Sequence, residues 1–319
     1  MRNLILTGLV ALTLACPLTA QAGALDQPAQ VSLTKPCERP LPTGCVAHLS
    51  LEGTITPDTA QKFVEVLNSE IRRVNGRVIP HLHIASPGGD VSAAMQIGEV
   101  LRKTTASVFS SGPCHSACVF VAVGAVERNL SGIGVHRPFF AQTRANDFVE
   151  ADQRYKKLIR TVRTYLDEMN ISDDLMRIML AVPPGEMQVL SPVEAKRIGI
   201  NGIDAAWDEY KTAQEARIYG LTSAELRKRQ GQIEVQCGRE DMMRSLAEMQ
   251  KREECRANQR DKIMWGMSED KLSRLRRMEE QTCLTQATSS DERRQCTLAL
   301  AEKLRAETET RPLAQSPSR

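Results

Sequence analysis

Beyond residue 18 the sequence lacks any apolar run that could cross a membrane, since a spanning helix needs roughly 20 apolar residues in succession. It also lacks a strong charge of either sign, because 42 Lys and Arg stand against 39 Asp and Glu. No two cysteines have the two-residue spacing typical of zinc sites. We therefore expect a mature chain with no membrane span, no nucleic-acid partner, no bound metal and no cofactor.

The N-terminus has the three parts of a secretory signal. Arg2 supplies positive charge, an apolar stretch runs from Leu4 to Leu18, and Ala20-Gln21-Ala22 provides the small residues of a cleavage site. Cys16 could instead mark a lipoprotein, but Thr13 stands where lipidation favours a large aliphatic residue. The sequence predicts a signal peptide over residues 1–22 and a periplasmic or secreted mature protein.

Eight cysteines remain after cleavage, and an even number in an exported chain indicates disulfides. Cys37 and Cys45 are expected to close a small loop in an irregular, proline-rich segment over residues 23–45. Cys114 and Cys118 lie at a predicted helix start, where their Cα atoms could come within the roughly 4.4–6.8 Å of a disulfide. Two buried free thiols are the alternative there. The other four are Cys237, Cys255, Cys283 and Cys296.

Residues 46–204 alternate short apolar runs with helical patterns, which is typical of an α/β domain. Beyond them Phe is absent, Lys, Arg and Glu dominate, and leucines recur at helical spacing. This pattern predicts a charged helical domain over residues 205–310 and a disordered tail over 311–319. The predicted strands cover residues 46–55, 78–85, 107–110 and 133–136, and helices are predicted from residue 57, over 91–103 and 116–123, and within 148–181.

Helix geometry predicts how the C-terminal cysteines pair. Cys237 and Cys255 are 18 residues apart. That is about 27 Å along a continuous helix, too far to bridge unless the chain bends back. A break at residues 266–269 would bring Cys255 level with Cys283. We expect nested bridges, Cys255–Cys283 and Cys237–Cys296, that staple a helical hairpin with little core of its own. A further break beyond Cys283 would instead join Cys283 to Cys296.

Three short segments contain residues suited to catalysis. Ser86-Pro87-Gly88-Gly89 is a turn whose glycines let the backbone expose amide hydrogens to a ligand. Ser116 lies between a Gly-Pro turn and an apolar helix, whose positive end would stabilise negative charge. His136 ends a predicted strand. Taken singly, the glycine pair is an ordinary turn and the serine an ordinary helix N-cap.

In this order the three segments resemble the Clp protease proteolytic subunit and its relatives with a crotonase-like fold. The likeness continues into Leu190-Ser191-x-x-Glu194-Ala195, followed by Gly199 and Asp204, and covers about residues 46–204. It implies an α/β core of repeated ββα units, followed here by a mostly helical, disulfide-stapled C-terminal region. It also implies a homo-oligomer. The relatives are fed by an ATP-driven unfoldase, which an exported protein lacks, so we expect peptides or loosely folded proteins as substrates.

The resemblance implies a serine hydrolase mechanism. Ser116 would attack a carbonyl and His136 would take its proton. The amide hydrogens of Gly89 and Ala117 would form the oxyanion hole.

The third catalytic residue departs from the family pattern. The family's acid lies three residues before the Leu-Ser motif, where this chain has Met187. The adjacent Glu186 could orient His136 if the loop shifts by one residue. Otherwise the site is a Ser–His dyad, or the chain is an inactive binding or scaffold module. A crotonase-type acyl-CoA enzyme is disfavoured, because exported compartments lack CoA.

Three further histidines are less suited to these roles. His115 adjoins the predicted nucleophile, but its side chain should point elsewhere. His81 and His83 share one face of a predicted strand and could suggest a metal, although histidines on a sheet surface are commoner.

Overall fold

The computed structural model describes residues 25–38, 44–140, 148–239 and 244–307. The chain divides into two compact units, the first ending at Ala205 and the second beginning at Ala206. The predicted signal peptide and the predicted tail over 311–319 lie outside the described residues. Within the described ranges, no helix is both long and apolar enough to cross a membrane.

The first unit is built on an eight-stranded sheet. Neighbouring strands follow the order β1, β2, β3, β4, β5, β8, while β6 pairs with both β4 and β7. The strands from β2 to β5 run parallel, an arrangement that requires crossover connections and usually helices. Their bounds are β1 (Gln30–Lys35), β2 (Cys45–Glu52), β3 (Val78–Ser86), β4 (Ser107–His115), β5 (Glu127–Asn129), β6 (Ile133–Val135), β7 (Gln188–Val189) and β8 (Gly202–Ile203).

Helices that connect these strands start where the sequence offers capping residues. Thr56 forms a reciprocal capping box with Thr59 at the first helix, and Pro57 occupies its first position. Asp90 caps the second helix by accepting from the Ala93 amide at 2.7 Å. The helices are α1 (Pro57–Val74), α2 (Val91–Lys103), α3 (Cys118–Gly124), α4 (Phe148–Glu168), α5 (Asp173–Ala181) and α6 (Pro192–Arg197).

The hydrophobic core of the first unit lies between the sheet and the helices. Leu49 and Leu51 alternate inward along β2 and are fully buried. All seven residues of α3 are buried, as expected for a helix that is apolar on every side. α3 approaches α2 so closely that a Cβ on Gly124 would lie 2.3 Å from the Cα of Gly98. This tight packing fixes the helix that follows Ser116.

The structure confirms the α/β class and the mostly helical region that follows it in the sequence, and it corrects two local predictions. The segment 23–45, expected to be irregular, contains β1, which pairs antiparallel with β2. Its alternation spans only a few residues between prolines, too short to stand out from a loop. The helix expected from Ser116 begins at Cys118 instead, because β4 continues through Gly112 and Pro113. The register of β4 with β3 is irregular here, where a strand tolerates glycine and proline.

The second unit consists of helices around two small apolar clusters. One cluster is centred on Leu226 and Met264, and the other on Leu272, Leu275 and Leu304. The helices from Ala205 onward are α7 (Ala205–Tyr219), α8 (Ser223–Cys237), α9 (Leu246–Trp265), α10 (Glu269–Met278), a π-helical turn (Glu279–Cys283), α11 (Leu284–Gln286) and α12 (Ser290–Ala306).

All eight cysteines of the described residues are paired, but the nested C-terminal connectivity was wrong. Cys237 bonds Cys255 and Cys283 bonds Cys296, with Cα separations of 5.5 and 5.6 Å. Cys37 bonds Cys45, as predicted.

The error came from treating residues 237 to 255 as one continuous helix. α8 ends at Cys237 with Gly238 as its C-cap, and α9 begins after the N-cap Ser245 and packs back against α8. A second reversal precedes Ser289, the N-cap of α12, and brings Cys296 to Cys283. Each bridge therefore closes its own helical hairpin.

Glu70 ties the Cys37–Cys45 loop to α1. Its carboxylate, 2% exposed, accepts from the Cys37 amide at 2.6 Å and from the Arg73 guanidinium at 2.6 and 2.7 Å. Arg73 also donates to the Cys37 carbonyl at 2.6 Å. The hydrogen bond from Arg73 lowers the pKa of Glu70 below its usual value.

We expect Glu70→Ala to lower the free energy of unfolding at neutral pH by about 1–3 kcal/mol, because a buried amide loses its acceptor. Since the folded pKa is depressed, this contribution is present above the ordinary glutamate pKa and is lost as the pH falls through the folded pKa. Urea unfolding at neutral and acid pH measures both effects. Glu65→Ala, an exposed change on the same helix, is the control. Equal destabilisation by both variants at neutral pH would contradict the prediction.

Candidate active site

Ser116 lies in the tight turn between β4 and α3. Its φ is +54°, in the left-handed region that residues other than glycine rarely adopt. Its amide donates to the Gly134 carbonyl at 2.8 Å, and its own carbonyl accepts from the Val119 amide at 3.1 Å. Ala117, and not Ser116, is the N-cap of α3, so the serine is not an ordinary capping residue. A strained strand-to-helix turn of this kind is a known way to expose a nucleophilic serine.

A disulfide brackets this turn. Cys114, near the end of β4, bonds Cys118, the first residue of α3, with a Cα separation of 5.2 Å. Both cysteines are fully buried. Of the two alternatives left open by the sequence, the structure has the bridge. It joins the residues two positions before and two positions after Ser116, and so limits how far the turn can open.

The double-glycine turn packs directly on the serine turn. Gly88 and Gly89 have φ values of +112° and +137°. A Cβ on Gly88 would lie 2.6 Å from the Cβ of Ser116, closer than two carbon atoms can approach. Ile55 bonds the Gly88 carbonyl and the Asp90 amide, each at 2.8 Å. The Gly89 amide between them therefore points away from Ile55.

The amides of Gly89 and Ala117 adjoin the serine turn, where Gly89 lines the cavity described below and Ala117 is buried beside Ser116. Among the hydrogen bonds of the described residues, neither amide is a donor. Ala117 N lies only 3.1 Å from where a Cβ of Gly88 would be, so the two amides belong to segments in direct contact. Paired unbonded amides beside a serine are the donors that an oxyanion hole requires.

A cavity of about 310 Å³ opens beside Ser116. Its walls are largely apolar, with the serine and one histidine as the polar side chains. A cavity of this size and character accommodates an apolar side chain next to the serine. It is lined by Pro87, Gly89, Val91, Ser116, Phe120, His136, Pro138, Phe139 and Met179.

His136 follows β6 and reaches the wall of the same cavity, where it is 8% exposed. Its Nδ1 lies 2.9 Å from the carbonyl oxygen of Arg137. Because a carbonyl only accepts, Nδ1 carries the proton, and in the neutral ring Nε2 is the nitrogen with a free lone pair. The ring of Phe139 lies 5.6 Å from the imidazole, centre to centre. This tautomer is the one that a general base needs at Nε2.

The structure does not bring Glu186 to His136. The Glu186 side chain is exposed, and its amide closes a turn by donating to the Pro183 carbonyl at 3.0 Å. β6 and β7 pair Val135 with Gln188, so the same register continued by one residue sets Met187 opposite His136. Within the described ranges, no carboxylate is hydrogen-bonded to His136. The backbone acceptor on Nδ1 was missed because a carbonyl leaves no signal in a motif.

The remaining histidines lie outside this site. A Cβ on Gly134 would lie 2.6 Å from the ring of His115, the last residue of β4, and 2.7 Å from the sulfur of Met187, so this ring packs over Gly134 of β6. Burial lowers the pKa of His115.

His81 and His83 share one face of β3, as predicted, and pack with His48 and Phe109 of the neighbouring strands. Burial, and then the neighbouring His48, lowers the pKa of His81. Among the described residues, no group of three or more His, Cys, Asp or Glu side chains could hold a metal ion.

Asp204 anchors the end of the first unit. Its carboxylate is 1% exposed and lies 3.0 Å from Arg102 and 3.7 Å from Arg128. Asn170 donates to the same carboxylate at 3.0 Å. Burial, and then the charge of Arg102, lowers the pKa of Arg128 to about 10. Asp204 thus has a structural role and does not line the cavity.

The parallel α/β core, with a serine turn and a histidine on one cavity, defines a ClpP-like fold. The family model for Clp protease matches residues 46–229, more than half of the chain. The chain therefore belongs to the Clp protease family.

Similar solved structures include a mutant of ClpP1 from Listeria monocytogenes, with 19% identity and a TM-score of 0.38, covering 46% of this chain and 84% of that one. Another is a mutant of the 1510-N membrane-bound stomatin-specific protease, with 18% identity and a TM-score of 0.37, covering 52% of this chain and 83% of that one. A search of the curated proteins finds no match.

We expect Gly88→Ala to lower the free energy of unfolding by at least about 2 kcal/mol, because the new methyl group meets Ser116 and the backbone φ is strained for alanine. Gly76→Ala is the matched control, since only the Val74 carbonyl lies near its Cβ, at 3.7 Å. Its effect should stay within about 0.5 kcal/mol. Urea unfolding of both variants tests the packing, and similar values for the two would refute it.

Proposed function

We propose that this chain is an exported serine peptidase, or a related acyl hydrolase, with Ser116 as nucleophile and His136 as general base. The observation that carries the proposal is one cavity that holds three features together. These are a serine at the apex of a strained turn, a histidine whose Nδ1 is already occupied, and the unbonded amide of Gly89. Each feature alone has a structural explanation, but their convergence suits acyl transfer.

The proposed reaction follows the general course of serine hydrolysis. His136 Nε2 removes the hydroxyl proton as Ser116 Oγ attacks the substrate carbonyl carbon. The amides of Gly89 and Ala117 donate to the oxyanion of the tetrahedral intermediate. Its collapse breaks the C–N bond, and the departing amine takes the proton from His136. Water then repeats both steps on the acyl-serine and releases the acid.

With a backbone carbonyl in place of a carboxylate, we expect the same reaction at a lower rate. In another protease, replacing the acid by an amide costs about ten-thousandfold, because the histidine adopts the wrong tautomer. The Arg137 carbonyl favours the right tautomer at His136, although it offers a dipole rather than a full charge to the imidazolium. We therefore propose a working Ser–His dyad.

Substrate and assembly follow from the cavity and the family. The apolar lining favours peptides with an apolar side chain beside the scissile bond, from short chains or loosely folded proteins. Members of the Clp protease family are homo-oligomeric, and we extend this property to the present chain.

Export to the periplasm or beyond is part of the proposal. It is supported by the three-part N-terminal signal in the sequence and by four disulfides, which persist in oxidising compartments.

A second candidate function is an inactive ClpP-like binding or scaffold module. The observation that favours it is the missing acid, since Glu186 is exposed and, among the described residues, no carboxylate is hydrogen-bonded to His136. Reactivity of the serine distinguishes the two functions.

We expect a fluorophosphonate probe to label the mature protein at Ser116. Ser116→Ala should abolish labelling, and His136→Ala should slow labelling and peptide hydrolysis by at least about a thousandfold, because members of one catalytic unit are not additive. His115→Ala should retain both within about threefold, since its ring packs over Gly134 of β6 and does not line the cavity. Mass spectrometry of the labelled peptide identifies the site. Labelling that persists in Ser116→Ala would refute Ser116 as the nucleophile, and a wild type that is not labelled would support the scaffold function.

We also expect the full chain, produced in a bacterium with a Sec pathway, to accumulate in the periplasm with Gly23 as its first residue. Deleting residues 4–18 should retain the protein in the cytoplasm, because the apolar segment is what the export machinery recognises. N-terminal sequencing of each fraction provides the measurement. An intact Met1 on periplasmic protein would disprove cleavage after Ala22.

A further inference from the structure

Arg137, directly after His136, forms hydrogen bonds through its amide, its carbonyl and two nitrogens of its guanidinium. Its amide donates to the Val182 carbonyl at 2.9 Å. Its guanidinium donates to the Leu180 carbonyl through Nε at 3.0 Å and through Nη2 at 2.7 Å. Its carbonyl oxygen accepts from Nδ1 of His136 at 2.9 Å. One residue thus connects the histidine to another element of the fold.

That element is the C-terminal turn of α5. Leu180 lies in its last turn and Val182 is its C-cap. The last carbonyls of a helix have no partner inside the helix, and the negative end of the helix dipole favours a cation. Arg137 satisfies both requirements at once. α5 is itself anchored in the core by Leu175 and Met176, which are fully buried.

Pro138 restricts the segment from the other side. A residue that precedes proline is largely confined to extended backbone, which limits the directions its carbonyl can take. Pro138 is buried against the cavity. The carbonyl that faces His136 is therefore fixed by the amide bond to Val182, by the guanidinium clamp and by the proline that follows.

We infer that Arg137 is a positioning residue that takes the place of the missing acid, an inference that rests on the proposed function. By clamping the chain to the end of α5, it holds its own carbonyl against Nδ1 and keeps Nε2 of His136 unprotonated and directed to the cavity. Unlike a carboxylate, this acceptor does not titrate. The tautomer consequently stays the same at every pH at which the fold persists and the ring is neutral.

The test compares second-order rate constants for fluorophosphonate inactivation across pH. Each rate constant is divided by the folded fraction that circular dichroism gives, so partial unfolding is not counted as a loss of reactivity. Arg137→Ala should lower the high-pH plateau by about tenfold or more, because general-base catalysis by an oriented histidine contributes about a hundredfold to ten-thousandfold. Arg137→Lys keeps one donor for the Leu180 carbonyl and should fall between Arg137→Ala and wild type.

The matched control is Arg177→Ala on α5, the helix that Arg137 contacts. Arg177 pairs with Asp174 at the surface of α5, and its replacement should leave the rate constant unchanged. Wild-type plateau rates in Arg137→Ala and Arg137→Lys would overturn the inference. If Arg137→Ala fails to fold, the lysine variant alone decides, and a wild-type plateau there also overturns it.

A second readout does not depend on activity. A long-range ¹H–¹⁵N spectrum distinguishes the two imidazole tautomers, with His136→Ala assigning the signal. Neutral His136 should carry its proton on Nδ1 in the wild type and should populate both tautomers in Arg137→Ala. A proton on Nε2 in the wild type, or identical spectra in the two proteins, would overturn the inference. A wild type with the expected tautomer but no labelling would instead reject the proposed function and leave the positioning role standing.

Discussion

The left-handed backbone of Ser116 is the constraint on which the rest of the candidate site depends. A φ of +54° is unfavourable for serine, and such strain persists only where the surroundings hold it. Here the Gly134 carbonyl holds the amide, a disulfide brackets the turn, and Gly88 packs against it with no room for a side chain. Each of these supports comes from a different segment of the first unit. The conformation of Ser116 therefore depends on segments that the folding of the sheet brings together.

The same dependence explains why glycines cluster around the cavity. Gly88 and Gly134 both lie where a Cβ would overlap a neighbour within 2.6 Å. Close backbone approach brings β3, β4 and β6 together with the amides of the serine turn. Backbone atoms of Gly134 and Arg137 form the hydrogen bonds to the Ser116 amide and to the His136 ring. Among the described residues that line the cavity, Ser116 and His136 are the two with polar side chains.

The sequence was sufficient for the features that local pattern and motif order determine. The α/β class and the bounds of α2 could be predicted, because capping residues and apolar periodicity act over a few positions. The pairing of Cys237 could not, since it depends on a chain reversal between helices whose patterns look continuous. β1 was missed because its strand is defined by its partner β2 more than by its own residues. The acceptor for His136 lay beyond any motif, because every residue has a carbonyl and only the fold selects which one is used.

The last turn of α5 contributes to the cavity and to the histidine at once. Met179 lines the cavity, while Leu180 and Val182 hold the segment that follows His136. The width of the cavity and the orientation of the His136 imidazole consequently depend on the same turn of α5. A group that displaces Met179 would also move the chain beside His136. The fit of a side chain in this cavity would thereby reach the proposed base through less than one turn of helix.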